Sequence, residues 1–162
     1  MKYWLMKSEP ESFSIDDLAR APQQTTCWDG VRNYQARNML RDQMKCGDLV
    51  FYYHSNCELP GIVGSVEVVR EGYPDHTAFD PDDHHFDPKS DPAAPRWYMV
   101  DVKLVEKFPR VLSLRELKEY ADDKLAGFQL LARGNRLSVM PVSSAQWKFV
   151  NSLLKAKTRA KT

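Results

Sequence analysis

Three extended runs with no helical pattern between them constrain this fold more than any other feature of the chain. Leu49 to Tyr53, Ile62 to Val69 and Trp97 to Phe108 are rich in β-branched and aromatic residues, and the last alternates through Tyr98, Val100, Val102 and Leu104. Pro60-Gly61 separates the first two by a turn, so they read as an antiparallel pair at the centre of a sheet. A doubly wound parallel sheet requires strands and helices in alternation. This order disfavours it. The expected class is α+β, a small mixed β-barrel of about five or six strands decorated with short helices.

The flanking segments fit that reading. Lys2 to Ser8 alternates in polarity as a strand, and Pro10 breaks it. Ser14 caps a short helix, Ile15 to Arg20, with Asp16 and Asp17 in the first turn. Thr25 to Trp28 is extended and closes on the turn signal Asp29-Gly30. Arg32 to Met44 lacks Pro and Gly, and Ala36, Met39, Leu40 and Met44 recur at helical spacing, with Tyr34, Arg37, Asn38 and Arg41 on the opposite face. Ser113 caps Leu114 to Tyr120, Leu125 to Leu131 makes a helical turn, Arg136 to Met140 a short strand, and Ser143 to Leu154 a closing helix that packs Trp147 and Val150.

At 162 residues, one domain is expected, over 1–154, followed by a basic tail at 155–162 with Lys155, Lys157, Arg159 and Lys161. No stretch approaches the roughly 20 apolar residues of a membrane span, and the first residues lack a signal-peptide core. Cys27, Cys46 and Cys57 form no CxxC pair, so reduced thiols and no zinc ribbon are expected. The formal net charge of +1 hides an asymmetry: residues 71–96 hold Glu71 and six aspartates against Lys89 and Arg96, together with five of the ten prolines. This segment reads as a long surface loop anchored by Tyr73, Phe79 and Phe86, its aspartates resisting burial. The rest of the chain is modestly basic, as a nucleic-acid partner would favour.

Enzyme motifs are sparse. There is no glycine-rich phosphate loop and no G-x-S-x-G. His76, His84 and His85 lie among aspartates, but the adjacent pair sits in a Pro/Asp loop without the rigid spacing of metal ligands, so no metal and no cofactor are expected. Cys27 or Cys57 beside His54 lacks a third, orienting group. A different pattern is more informative. Ser8 and Glu9, then Trp28, Asp29 and Asn33, then His54, Ser55 and Asn56, and finally Arg133, Asn135, Arg136 and Ser138 fall where strands end or helices begin. Tryptophan offers a stacking face, while Ser, Asn and Asp offer the donors and acceptors that read the edge of a base. Each also has an ordinary reading as core, turn or cap; their joint appearance favours a ligand pocket.

Several long, irregular stretches carry a resemblance. They are Tyr3 to Pro10 (YWLMKSEP), Thr25 to Asn38 (TTCWDGVRNYQARN), Phe51 to Cys57 (FYYHSNC), Tyr73 to Thr77, Asp87 to Ser90, Trp97 to Val102 and Arg136 to Val139. Over residues 2 to 152 the chain closely resembles the EVE domain and, within it, the thymocyte nuclear protein family and its bacterial relatives. The resemblance implies a PUA-like mixed barrel related to YTH domains, and a reader of modified bases, notably modified cytosine in DNA, rather than a catalyst. Lys7-Ser8 and Trp28-Asp29 match the YTH-like pocket elements, and Tyr34, Phe79, Phe86 and Trp97 are the candidates for further aromatic walls. The chain starts at the Tyr-Trp-Leu-Met stretch, which fits a bacterial, cytoplasmic protein; a eukaryotic one would be nuclear.

The expected function is therefore non-catalytic recognition of a flipped or unpaired, modified base. Trp28 would stack, Ser8, Asp29 and Asn33 would read polar edges, and His54 to Asn56 and Asn135 to Ser138 would line the wall. Arg32, Arg37, Arg41 and the tail are the phosphate candidates. The rivals are an RNA-binding module acting on tRNA or rRNA, and a metal-dependent nucleic-acid enzyme built on the Asp/His loop.

Overall fold

The computed structural model describes the backbone of residues 1–160 and the side chains through Lys155. Six strands, β1 (Tyr3–Ser8), β2 (Thr25–Cys27), β3 (Leu49–His54), β4 (Gly61–Pro74), β5 (Tyr98–Ser113) and β6 (Val139–Val142), form one mixed sheet in the order β2-β5-β4-β3-β1-β6. Among the described residues only β1 and β3 run parallel; the other ladders are antiparallel. A parallel pair requires a crossover of a dozen or more residues. Here that crossover carries α1 (Ile15–Arg20), β2 and α2 (Tyr34–Asn38), and it builds the candidate site.

The expected barrel does not close. Among the described residues, β2 pairs with β5 and β6 with β1, and the two edges do not meet. The physical reason is that the sheet has two buried faces instead of one interior. Along β1, Trp4 and Met6 enter one apolar cluster and Leu5 the other; along β3, Val50 and Tyr52 part from Phe51 and Tyr53 in the same way. The first cluster is roofed by Ile15 and Leu18 of α1 and by Ala36, Met39 and Leu40. The second is covered by Leu117 of α3 (Leu114–Lys118) and by Val150 and Leu153 of α4 (Ser144–Ala160). Leu5 is fully buried, so its truncation to alanine is worth about 2–5 kcal/mol.

Local signals explain most boundaries. Ser14 forms a full capping box with Asp17 at the start of α1. Asn33 caps α2 by accepting the Ala36 amide at 2.9 Å. The long helix expected over 32–44 is instead α2 followed by a wider π-type turn over Met39–Gln43, which still buries Met39 and Leu40. The acidic loop is shorter than expected, because β4 continues to Pro74, where Tyr73 pairs with Met99 and Pro74 with Tyr98. The closing helix runs further than expected, to Ala160. Lys155 is exposed, and the side chains of Lys157, Arg159 and Lys161 lie outside the described residues. Cys27, Cys46 and Cys57 are free thiols. Among the described residues no helix is long and apolar enough to cross a membrane.

Candidate nucleic-acid interface

A cavity of about 520 Å³ opens beside the C-terminal end of β1, within the size range of small-ligand sites. Its wall combines Lys7 and Ser8 at the end of β1, Glu9, Ser12 and Phe13 beyond it, Thr26 and Cys27 of β2 with Trp28 to Arg32 after it, Ser138 before β6, and Asp83, His84 and His85 from the acidic segment. Trp28 is the aromatic wall and also a core residue: it is 6% exposed and packs edge-on against Tyr52 at 5.2 Å. Its amide donates to the Val100 carbonyl at 2.7 Å, which fixes the indole relative to the sheet.

Asp75 holds the site together. Its carboxylate, fully buried, accepts hydrogen bonds from the Gly30 amide at 2.8 Å, Arg32 Nη1 at 3.0 Å, the Thr77 amide at 2.8 Å and the Thr77 hydroxyl at 2.6 Å. Burial works against its ionisation, but the bonds from Thr77, Gly30 and Arg32 outweigh that and hold the carboxyl below its ordinary value. The expectation that the loop aspartates resist burial fails here, because four donors replace water. Arg32 in turn donates to the His85 carbonyl through Nη2 at 2.7 Å and Nε at 3.2 Å. The segment carrying His85 is thereby tied to the strand-end loop carrying Trp28.

The cavity margin carries both signs of charge: Lys7 and Arg32 line it beside Glu9, Asp29 and Asp83, and burial lowers the Lys7 ammonium below its ordinary value. Desolvation by the surrounding wall, then the charge of Asp75, raises the Asp29 carboxyl above its ordinary value. Burial, with Asp29 and Asp101, likewise raises the Cys27 thiol. A thiol shifted that way is a poor nucleophile.

Of the residues singled out from sequence, Lys7, Ser8, Glu9, Trp28, Asp29, Arg32 and Ser138 line the cavity together. The others serve elsewhere. The Asn33 carboxamide is occupied in capping α2. His54 accepts the Ile15 amide through Nε2 at 3.1 Å, supporting the start of α1, and burial holds its imidazole below its ordinary value. Ser55 donates its amide to the Ser8 carbonyl, and Asn56 donates to Glu9 Oε1 at 2.8 Å, so both brace the rim from outside. Asn135 accepts the Leu137 amide in its own turn, and Arg133 and Arg136 are exposed away from the cavity. Tyr34, 53% exposed, stacks on Trp97 at 4.9 Å, and neither ring lines the cavity. Trp97 is buried and donates Nε1 to Asp87 at 2.7 Å. Phe79 and Phe86 also lie outside the cavity wall.

Arg32, expected on a phosphate, is committed to Asp75 and His85. Arg37 donates to the Arg96 carbonyl and Asn38 and lies over the Tyr34 ring at 5.0 Å. Arg41 pairs with its neighbour Asp42 on the surface. The residues that sequence reasoning did not place in the wall are Ser12, Phe13, Thr26, Cys27, Gly30, Val31 and the Asp83–His85 trio. The histidines were visible as a cluster, but only the fold carries them across to Trp28.

An open mixed sheet with both faces covered and a polar cavity at a strand-end loop defines a PUA-like α+β binding module. The chain belongs to the EVE domain family, whose model matches residues 2–153. It is 50% identical to thymocyte nuclear protein 1 of Rattus norvegicus over 95% of this chain and 74% of that protein, and 50% identical to the Homo sapiens protein over 93% and 73%. Among solved structures, human THYN1 protein in complex with 5-methylcytosine containing DNA superposes with a TM-score of 0.91 at 48% identity, covering 95% of this chain and 98% of that one. A protein from Pseudomonas putida gives 0.89 at 50% identity over 94% and 99%. The Mmi1 YTH domain, at 13% identity and a TM-score of 0.54, shares the fold.

Proposed function

We propose that this protein is a non-catalytic reader of a modified base, with modified cytosine in DNA as its substrate class. The observation that carries this reading is the cavity wall of Trp28, Asp29, Ser8 and Ser138 in a chain 48% identical to a human protein solved with 5-methylcytosine containing DNA. Extracting a base from a duplex costs a few kcal/mol, and a stack on Trp28 returns about 1–3 kcal/mol. Asp29 accepts from the exocyclic amine of cytosine, a pairing that thymine, with a carbonyl at that position, cannot make. Burying one methyl contributes about 0.8 kcal/mol, roughly a fourfold preference. The methyl therefore tunes affinity, and the amine selects the base. A raised Cys27 thiol and a His54 engaged by Ile15 support binding rather than thiol–imidazole catalysis.

The test is a binding screen over short DNA and RNA, single- and double-stranded, carrying cytosine, 5-methylcytosine, 5-hydroxymethylcytosine, thymine or methylated adenine. Tightest binding to a modified-cytosine DNA is the expected result. Preference for unmodified RNA would favour the tRNA- or rRNA-binding alternative, and turnover of any oligonucleotide would overturn the non-catalytic reading.

A further inference from the structure

Asp83, His84 and His85 each present one donor atom, and the three lie within 4.8 Å of one another. The separations suit a small cation. Asp83 Oδ1 lies 3.2 Å from His85 Nδ1 and 3.8 Å from His84 Nδ1, whereas donors held tetrahedrally at zinc distances are about 3.3 Å apart. His85 Nδ1 is enclosed by protein and makes no hydrogen bond although Asp83 Oδ1 lies 3.2 Å away; a buried nitrogen left unpaired beside a carboxylate oxygen suits a shared cation.

The sequence argued against a metal here because adjacent histidines in a Pro/Asp loop lack rigid support. The tertiary structure supplies that support. Arg32 grips the His85 carbonyl twice, the His85 amide donates to Asp83 Oδ1 at 2.8 Å, and the imidazole rests on Gly30. Beyond the trio, Trp97 Nε1 anchors Asp87. Asp29 adds negative charge nearby that a dication would neutralise.

We infer that Asp83, His84 and His85 form a divalent transition-metal site of the zinc class on the cavity rim. Two imidazoles and a carboxylate suit zinc better than magnesium or calcium. Three protein donors leave a fourth position for water or an incoming ligand atom.

Zinc alone, titrated calorimetrically into the full chain after chelator treatment and without nucleic acid, tests the site independently of base recognition. One-to-one saturable binding is expected. His84→Ala is the informative variant, because the side chain is 82% exposed and its removal leaves the fold intact. It should weaken zinc by at least about tenfold, since even outer-shell partners of metal ligands are worth that much. Asp83→Asn should do the same. Cobalt bound in place of zinc should show d–d bands of nitrogen and oxygen ligation without thiolate charge transfer. Absence of saturable binding, equal affinity in His84→Ala, or a thiolate signature from the cysteines would each overturn the assignment.

Discussion

The His85 imidazole lies so close over Gly30 that a β-carbon at residue 30 would fall 2.5 Å from its Nε2. Gly30 also has φ +79°, in the left-handed region that favours glycine. The first constraint comes from the acidic segment and the second from the turn that follows Trp28, and together they make Gly30 the point where the cavity wall and that segment meet. Gly30→Ala should cost about 1–3 kcal/mol from the backbone alone and push His85 out of place. Thermal denaturation and nucleic-acid affinity should therefore fall together; a variant with wild-type stability would show that this close approach does not constrain the turn.

Trp28 belongs to the core and to the cavity wall, so its loss has two separable effects. Trp28→Ala should destabilise the protein by about 3–5 kcal/mol and, where it remains folded, weaken binding by about 1–3 kcal/mol. Stability and affinity must be measured on the same sample, at a temperature where circular dichroism shows the native fold. Wild-type affinity in that folded variant would rule out stacking on this indole.

Asn33→Ala separates a helix cap from a base contact. With its carboxamide on the Ala36 amide, the substitution should cost about 1 kcal/mol of stability and leave the ranking of modified and unmodified bases unchanged. A changed ranking would return Asn33 to the recognition surface.

The buried Asp75 carboxylate predicts a specific acid response. Its folded value lies below the ordinary 3.8, so its contribution is fully present above that value and disappears as pH falls through the folded one. Asp75→Asn should cost about 3 kcal/mol at neutral pH, the low end for removing one partner of a buried pair, because Arg32 keeps some solvent access. Denaturant melts of both proteins from pH 7 to pH 2 should show a difference that is constant at first and narrows only at the acid end. A difference that closes between pH 6 and 5 would assign the effect to another group.

Local sequence determined the elements whose causes are local. Ser14 with Asp17 and the alternation in β1 and β3 act within a few residues, and each is found where the sequence puts it; the turn expected at Pro60-Gly61 falls earlier, over 56–59, with Gly61 already paired in β4. The strand-end position of Ser8, Trp28, Asp29 and Ser138 was legible for the same reason. Other assignments depended on partners tens of residues away. Asn33, His54 and Arg32 carry side chains equally suited to a ligand or to the protein's own groups, and only the fold brought Ala36, Ile15 and Asp75 within hydrogen-bond distance of them. Burial of Asp75 and convergence of His85 on Gly30 arise because β4 runs on to Pro74, opposite Tyr98 of β5, and delivers the acidic segment to the end of β2 that leads into Trp28. Periodicity records which face a residue prefers. It carries no record of which distant segment will meet that face, because that is decided by strand pairing and by the burial of both sides of the sheet.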